Sequence, residues 1–309
     1  MNIRDISQPT CTCARWLSAT MVLALLLCMP DQPLSAKDWD MDRGKYLPDL
    51  EIYLLSGPVQ SVTTEYRKPD GAVSQLVRWD FDRSGNLLES RTITFSSSCS
   101  KQVYTYDASG HRLTFQSFST QQQPLPLVGK DDCKFPAATE YSTFSYELDG
   151  RGQMTSRSKT YYGQSSPAVR EEFRYDFPGN LVEHQWLVGP RKDRQYRNRY
   201  AYDTFPGGRR VFRQANYDED QSAVDVRIVT TYDTKGKLRT YTKTPPGASG
   251  FYNDYDNIYD GNGNLKSSGS GESRTDYSGH DARGNWTKSA SYQGGSLSQT
   301  AARTIQYFK

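Results

Sequence analysis

One short motif recurs along most of the chain and constrains its fold more than any other feature. In each copy an Asp is followed by two variable residues and then Gly, except that one copy has its Gly one position later. An aromatic residue, Tyr or Phe, precedes the Asp in most copies. The aspartates of the eight copies are Asp82, Asp107, Asp149, Asp176, Asp203, Asp233, Asp260 and Asp281. Successive aspartates are 21 to 30 residues apart, except for 42 residues between Asp107 and Asp149. A period of this length is typical of repeat architectures.

Each copy predicts a tight turn between two strands. Asp at the first position and Gly at the fourth suit a type I turn, in which the Asp side chain bonds the backbone and Gly adopts a positive φ. The flanking residues alternate between apolar and polar, as in residues 103–106 and 199–202, which is the pattern of a half-buried strand. With 22 Tyr and 12 Phe in the chain, we expect a core built largely from aromatic rings.

The aromatic-Asp-x-x-Gly-x-Leu units resemble the YD repeats of the Rhs family over roughly residues 78–290. Residues 56–66 also resemble the entry to small exported YD-repeat proteins. The resemblance implies a sheet that curls into a shell. The chain lacks the Asp-Pro dipeptide of the self-cleavage motif and has no space for a C-terminal toxin domain, so it resembles the repeat array alone.

The sequence therefore predicts an all-β fold in which tandem antiparallel β-hairpins form one curled, elongated sheet or partial shell. The array extends over residues 56–309, follows a lead-in segment at 37–55 and is interrupted by an insertion loop at 119–138. An open meander has exposed edges that invite pairing. A homo-oligomer or an end-capping loop would protect them.

The first 36 residues read as a signal peptide. Arg4 and Arg15 supply positive charge, an apolar stretch covers residues 16–29, and Pro30 ends it before a small residue, Ala36. The apolar stretch is shorter than the ~20 residues that span a bilayer, so we expect cleavage and no transmembrane span afterwards. The protein is predicted to be exported, to the periplasm or the cell surface.

Cleavage leaves two cysteines, Cys99 and Cys133, in the mature chain. Two cysteines in an exported protein are expected to form a disulfide. Neither lies in a Cys-x-x-Cys motif or near a histidine, which argues against thiol chemistry.

Motifs for catalysis, cofactors and metals are absent from the sequence. There is no Gly-x-Ser-x-Gly elbow, phosphate-binding loop or His-Glu-x-x-His motif. His111, His184 and His280 are predicted to lie at the surface. Residues 38–49 are partly similar to a calcium loop, but Gly44 is one position late. We therefore predict no catalytic residue, no cofactor and no metal, and interpret the acidic stretch as a solvated tail.

The most basic segment, residues 191–213, interleaves arginines with tyrosines. Arg197 and Arg199 share one face of a predicted strand, and with Tyr200 and Tyr202 they form the candidate ligand surface. Such residues suit anionic polysaccharide, lipid headgroups or an acidic protein. A solvated strand face is the alternative.

The sequence favours a non-catalytic binding or scaffolding module of the cell envelope, with either a carbohydrate or an envelope protein as ligand. A net charge of +3 is too balanced to indicate nucleic acid. The alternatives are an immunity-type inhibitor of a toxin or envelope enzyme and a glycan-active hydrolase. An outer-membrane barrel is a further alternative, given Tyr307 and Phe308 near the C terminus.

Overall fold

The computed structural model describes residues 39–40, 45–46, 50, 53–95, 98–120, 133–189, 193–217, 224–234, 237–244, 252–270 and 272–309. The predicted signal peptide lies outside these residues. Two short strands, β1 (Trp39–Asp40) and β2 (Lys45–Tyr46), pair with each other.

The other strands form a single antiparallel sheet in which each strand pairs with the next along the chain. They are β3 (Val59–Arg67), β4 (Val73–Phe81), β5 (Leu87–Thr94), β6 (Ser98–Tyr106), β7 (Arg112–Thr120), β8 (Glu140–Leu148), β9 (Met154–Tyr161), β10 (Val169–Tyr175), β11 (Leu181–Val188), β12 (Asp193–Phe205), β13 (Gly208–Tyr217), β14 (Val224–Asp233), β15 (Leu238–Thr244), β16 (Tyr252–Tyr259), β17 (Leu265–Ser270), β18 (Ser273–Ser278), β19 (Lys288–Gln293) and β20 (Ser296–Tyr307).

The sheet closes on itself, because β20 pairs with β3 from Thr300↔Arg67 to Tyr307↔Val59. The result is a closed barrel of 18 strands. The all-β, antiparallel prediction is confirmed, whereas the prediction of an open curled sheet or partial shell is wrong. Closure gives every barrel strand two neighbours, so the exposed edges that suggested a homo-oligomer do not exist.

The same closure overturns the resemblance to YD-repeat proteins of the Rhs family. That resemblance implied a curled sheet, and the chain forms a continuous ring of strands instead. The repeated turn is real, but it belongs to a barrel in which the first and last strands pair.

The Asp turns have the local geometry that the motif predicts. In the first copy, Oδ1 of Asp82 accepts bonds from the amides of Ser84 (2.8 Å) and Asn86 (2.9 Å), and Gly85 has φ 84°. The amide of Gly85 donates to the carbonyl of Asp82 at 3.1 Å. Turns of the same form follow at Asp107, Asp149, Asp176, Asp260 and Asp281. Because they join alternate strand pairs, all of them lie at one end of the barrel, here called the Asp-turn end.

The copy at Asp203 is an exception that corrects the sequence analysis. Asp203 lies inside β12, opposite Arg210 of β13, and the chain turns at residues 206–207 instead. Its motif is one residue longer than the others, and two-residue hairpin loops need no Asp side chain to hold them.

Tyrosines of the motif tie four of the hairpins to the preceding one. The hydroxyls of Tyr175, Tyr202 and Tyr259 donate to the carbonyls of the residues 21 positions earlier, at 2.8, 2.7 and 3.2 Å. Tyr106 makes the equivalent bond to Leu87 at 2.5 Å. The motif therefore specifies contacts between neighbouring hairpins as well as the turn.

The inner face of the barrel carries the apolar core. A ring of 18 strands is wider than side chains alone can fill, and the core accordingly divides into two large clusters and a small one at Ile228 and Tyr241. One large cluster is built around Phe173, Tyr200 and Tyr232, the other around Phe81 and Phe115.

The end of the predicted lead-in segment packs against the second cluster. Leu55 is buried in it, and the ring of Tyr53 lies 4.2 Å from that of Trp79. The amide of Ser56 donates to Asn285 Oδ1 at 2.7 Å. This segment therefore covers part of the Asp-turn end.

The predicted disulfide joins Cys99 to Cys133. Cys99 is fully buried on the outer face of β6, and Phe135 beyond the bond packs against Phe118 with ring centroids 6.3 Å apart. Residues 121–132 of the predicted insertion loop lie outside the described residues. Strand β7 continues to Thr120, slightly further than the predicted loop start.

We expect Asp82→Ala to lower the free energy of unfolding by about 1–2 kcal/mol, because three bonds to its carboxylate are lost. Asp203→Ala is the matched control. Its carboxylate is exposed and only pairs with Arg210, so the expected loss is below about 0.5 kcal/mol. Urea unfolding measures both, and equal losses would contradict the assignment of the two positions.

Replacing both Cys99 and Cys133 by Ser should lower the free energy of unfolding by roughly 3–4 kcal/mol, since the bond closes a loop of 34 residues. Urea unfolding of the variant and of the oxidised protein provides the measurement. An unchanged midpoint would mean that the bond does not constrain the unfolded chain.

Candidate ligand-binding site

The four residues of the predicted ligand surface lie on opposite faces of β12. Arg197 and Arg199 share the outer face, as their alternation predicts, whereas Tyr200 and Tyr202 point inward. Arg197 pairs with Glu183, and Arg199 is exposed. The interleaved sequence therefore does not produce one mixed arginine–tyrosine surface.

The two tyrosines have roles in the wall of the barrel. Tyr200 is only 7% exposed within the first core cluster. The guanidinium of Arg209 lies 4.2 Å from the ring centroid of Tyr202, and the Tyr202 hydroxyl donates to the carbonyl of Leu181. Both contacts are of the kind that stabilises a hairpin stack.

A cavity of about 330 Å³ lies at the predicted segment. It is lined by Arg199, Tyr200, Ala201, Phe212, Arg213, Ile228 and Val229, from three neighbouring strands. The lining is mainly apolar and contains neither a carboxylate nor a histidine. It can accommodate a small apolar group but offers no acid–base chemistry.

An ionic network is buried on the inner face around His184. Arg157 binds Oε1 of Glu171 through Nη2 at 2.7 Å and Nε at 2.9 Å. His184 Nε2 donates to the other oxygen of Glu171 at 3.1 Å, and Asn198 Nδ2 donates to His184 Nδ1 at 3.3 Å. The imidazole is stacked on Phe173 with centroids 4.9 Å apart.

His184 is fully buried, so its predicted surface position is wrong. Burial alone would raise the pKa of Glu171, but the charge of Arg157 and the bond from His184 outweigh it and lower that pKa to about 2. Both imidazole nitrogens are engaged. The network is therefore a closed ion pair that stabilises the wall and presents no free proton acceptor.

Small hydroxyl side chains line the inner face along two groups of strands. We call this surface the hydroxyl wall. Its members on β5–β7 and β17–β19 are Ser90, Thr92, Thr94, Ser98, Ser100, Ser117, Ser119, Ser268, Ser270, Ser273, Thr275, Ser289 and Ser291. Most are half-buried. Hydroxyls at this density can form many hydrogen bonds with a polar ligand.

Strands β20, β3 and β4 lie between the two halves of the hydroxyl wall. Together with Tyr277 of β18 and with Trp286, which precedes β19, they form a cationic–aromatic cluster on the same face. The guanidinium carbon of Arg303 is 3.5 Å from the ring centroid of Trp286 and 5.5 Å from that of Trp79. Trp286 contacts Tyr277 with centroids 5.2 Å apart. Tyr66 lies close enough to interact electrostatically with Arg303. We call these residues the Arg303 cluster.

Burial lowers the pKa of Arg303 to about 10, with smaller opposing effects of Tyr66 and Tyr277. Its Nε and Nη1 atoms are buried and have no hydrogen-bond partner within the described part of the chain. Thr64, directly opposite on β3, also has a buried hydroxyl without a partner there.

The sequence analysis missed the Arg303 cluster. A signal was present, because Arg303 alternates with Ala301 and Ile305 at inward positions of β20. An arginine in an apolar row is unusual and could have marked the position. Its partners, however, are distant in sequence: Trp79 is more than 200 residues away and Trp286 is 17 residues away. No local pattern connects them.

Over the described ranges, no group of three or more His, Cys, Asp or Glu side chains is arranged to hold a metal ion. The side chains of the acidic stretch at 38–49 lie outside the described residues. No helix among the described residues is long and apolar enough to span a membrane.

Comparison with protein-family models finds no match, and comparison with curated proteins finds none either. Two similar solved structures are a porin-like protein from Bacteroides uniformis and a candidate lipoprotein from Parabacteroides distasonis. The first has 9% identity and a TM-score of 0.39, covering 81% of this chain and 99% of that chain. The second has 10% identity and a TM-score of 0.19, covering 81% and 97%. None of these comparisons supports the Rhs resemblance.

The pKa of Glu171 gives a testable pH dependence. Because its pKa is lowered from 4.5 to about 2 on folding, its contribution to stability is present above pH 4.5 and is lost as the pH falls towards 2. The free energy of unfolding should fall by on the order of 3 kcal/mol over that window from this group alone.

The variant Glu171→Gln should show a smaller loss between pH 4.5 and 2 than the unsubstituted protein. Glu172→Gln, on the outer face of the same strand, is the control and should retain the full loss. Urea unfolding at pH 2.5, 4.5 and 6.5 measures both. Identical pH profiles for the Glu171 variant and the original protein would refute the ion-pair assignment.

Proposed function

We propose that the protein is an exported, non-catalytic binding protein of the cell envelope that holds a carbohydrate against the inner face of its barrel. The observation that carries this proposal is the hydroxyl wall with the Arg303 cluster between its two halves. Saccharides bind through many hydrogen bonds and through contact of their C–H groups with aromatic rings, and such sites are concave with a few placed polar groups.

Closure of the sheet favours a glycan over a protein partner. A folded partner needs roughly 800 Å² of contact surface, and a closed barrel does not offer its inner face to a folded domain. Such a partner would have to use the outer face, where many charged groups already pair with each other, as Arg78 does with Asp80 and Arg170 with Glu147. An immunity-type inhibitor is therefore the less favoured alternative.

The inward carboxylates argue against a glycan-active hydrolase. Glycosidases need one carboxyl group with a raised pKa as a general acid. Glu171 has a pKa lowered to about 2 by Arg157 and His184, and Glu140 is bound by Lys159 at 2.7 Å. Both carboxylates form ion pairs with cations. This arrangement stabilises the barrel wall and keeps the carboxylates ionised, whereas a general acid must be protonated.

Export is supported by the signal-like first 36 residues and by the Cys99–Cys133 disulfide. Outward side chains such as Arg78, Asp80 and Arg91 lie along the strands of the barrel. A lipid-facing wall requires a continuous apolar band, and charged residues there are costly. We therefore place the protein in the aqueous periplasm or at the cell surface as part of this proposal.

A test uses the purified protein on an array of neutral and acidic oligosaccharides, followed by calorimetry with the captured ones. Ser117→Trp adds a large ring to the hydroxyl wall and should weaken binding by more than about tenfold, because it fills space that the ligand needs. Gln116→Trp, the next residue on the outer face, is the matched control and should bind normally. Absence of any captured glycan, or equal loss in both variants, would contradict the proposal.

A further inference from the structure

The Arg303 cluster contains buried hydrogen-bond donors that have no acceptor in the described part of the chain. Nε and Nη1 of Arg303 are buried hydrogen-bond donors without acceptors among the described residues. Thr64 Oγ1, a third group that can donate, is unpartnered there as well. What the cluster lacks is therefore an acceptor.

The described part of the chain does not supply the missing charge either. No carboxylate within it forms an ion pair with Arg303, and the flanking groups are the rings of Trp79, Trp286, Tyr66 and Tyr277. A cation–π contact compensates only part of the cost of burying a guanidinium. Two other inward cations, Arg157 and Lys159, each have a glutamate partner.

The geometry leaves one part of Arg303 available to a ligand. Stacking against the indole ring of Trp286 covers a face of the guanidinium, whereas its N–H groups point outward in the plane of the group. The side chain as a whole is only partly buried. A carboxylate binds a guanidinium through two oxygens along the edge that Nε shares with Nη2.

We infer that Arg303 binds a carboxylate of the ligand, and that the carbohydrate is an acidic one carrying uronate residues. This inference rests on the proposed function and names its ligand class. A single cation in an aromatic setting balances one carboxylate. A phosphate, with nearly two charges, calls for more donors than the cluster supplies. The hydroxyl wall on either side would hold the sugar rings next to the acidic one.

The experiment uses the full protein with tetrasaccharides of polygalacturonate, alginate and hyaluronan. Each is compared with its carboxyl-reduced, neutral form. Binding is followed by calorimetry and by tryptophan fluorescence, since Trp79 and Trp286 flank the site. We expect at least one acidic tetrasaccharide to bind between about 10-fold and 100-fold more tightly than its reduced form, the range of a charged hydrogen bond.

Arg303→Met should remove that preference, and Arg303→Lys should keep part of it because the charge remains without the fork. Arg78→Met, at an outer position, is the matched control and should bind like the original protein. If Arg303 is only a structural cation, its replacement by Met will lower the urea midpoint. If Arg303 binds a ligand instead, the urea midpoint of the variant will be unchanged or higher, because an unpaired buried charge has been removed.

The outcomes separate this inference from the proposed function. Equal binding of acidic and reduced forms, or acid preference that survives in Arg303→Met, overturns the inference and leaves glycan binding intact. Tighter binding of inorganic phosphate than of any uronate overturns the carboxylate assignment. No binding of any tetrasaccharide, acidic or reduced, together with an empty glycan array, overturns both.

Discussion

The pairing of β20 with β3 is the interaction on which the rest of the structure depends. It joins segments more than 200 residues apart in sequence and converts an open meander into a ring. Only then does the sheet have an inside, and only then are Arg303 and Thr64 opposite each other. A curled sheet without this pairing would expose two edges and leave Trp79 of β4 apart from Trp286, which precedes β19.

Register is the second requirement, and the Asp turns supply it. A slip of one residue in any strand would move its entire inward set to the outer face. In the Asp turns, backbone amides donate to the Asp carboxylate and so fix the register, and tyrosine hydroxyls bind several hairpins to the one before. The hydroxyl wall exists because this alternation is kept through many successive strands.

The inner face treats its charges in two different ways. Around His184, an arginine, a glutamate and an amide satisfy one another, and the pKa of Glu171 falls accordingly. At Arg303 the charge is stacked against rings but has no acceptor within the described residues. Since burying an unpaired charge is costly, the first arrangement is explained by stability alone. The second is the arrangement that the proposed carboxylate ligand would complete.

The sequence by itself determined the local structure. The Asp-x-x-Gly spacing was enough to predict the turns. The alternation of apolar and polar residues predicted the antiparallel strands and the common face of Arg197 and Arg199, and the number of cysteines predicted the disulfide. These follow from interactions within a few residues or from simple counting. Closure of the barrel, burial of His184 and the meeting of Arg303 with Trp79 and Trp286 were decided only by the tertiary structure. They depend on which distant strands pair, and no short-range pattern encodes that pairing, because its free energy comes from contacts that exist only after the ring has closed.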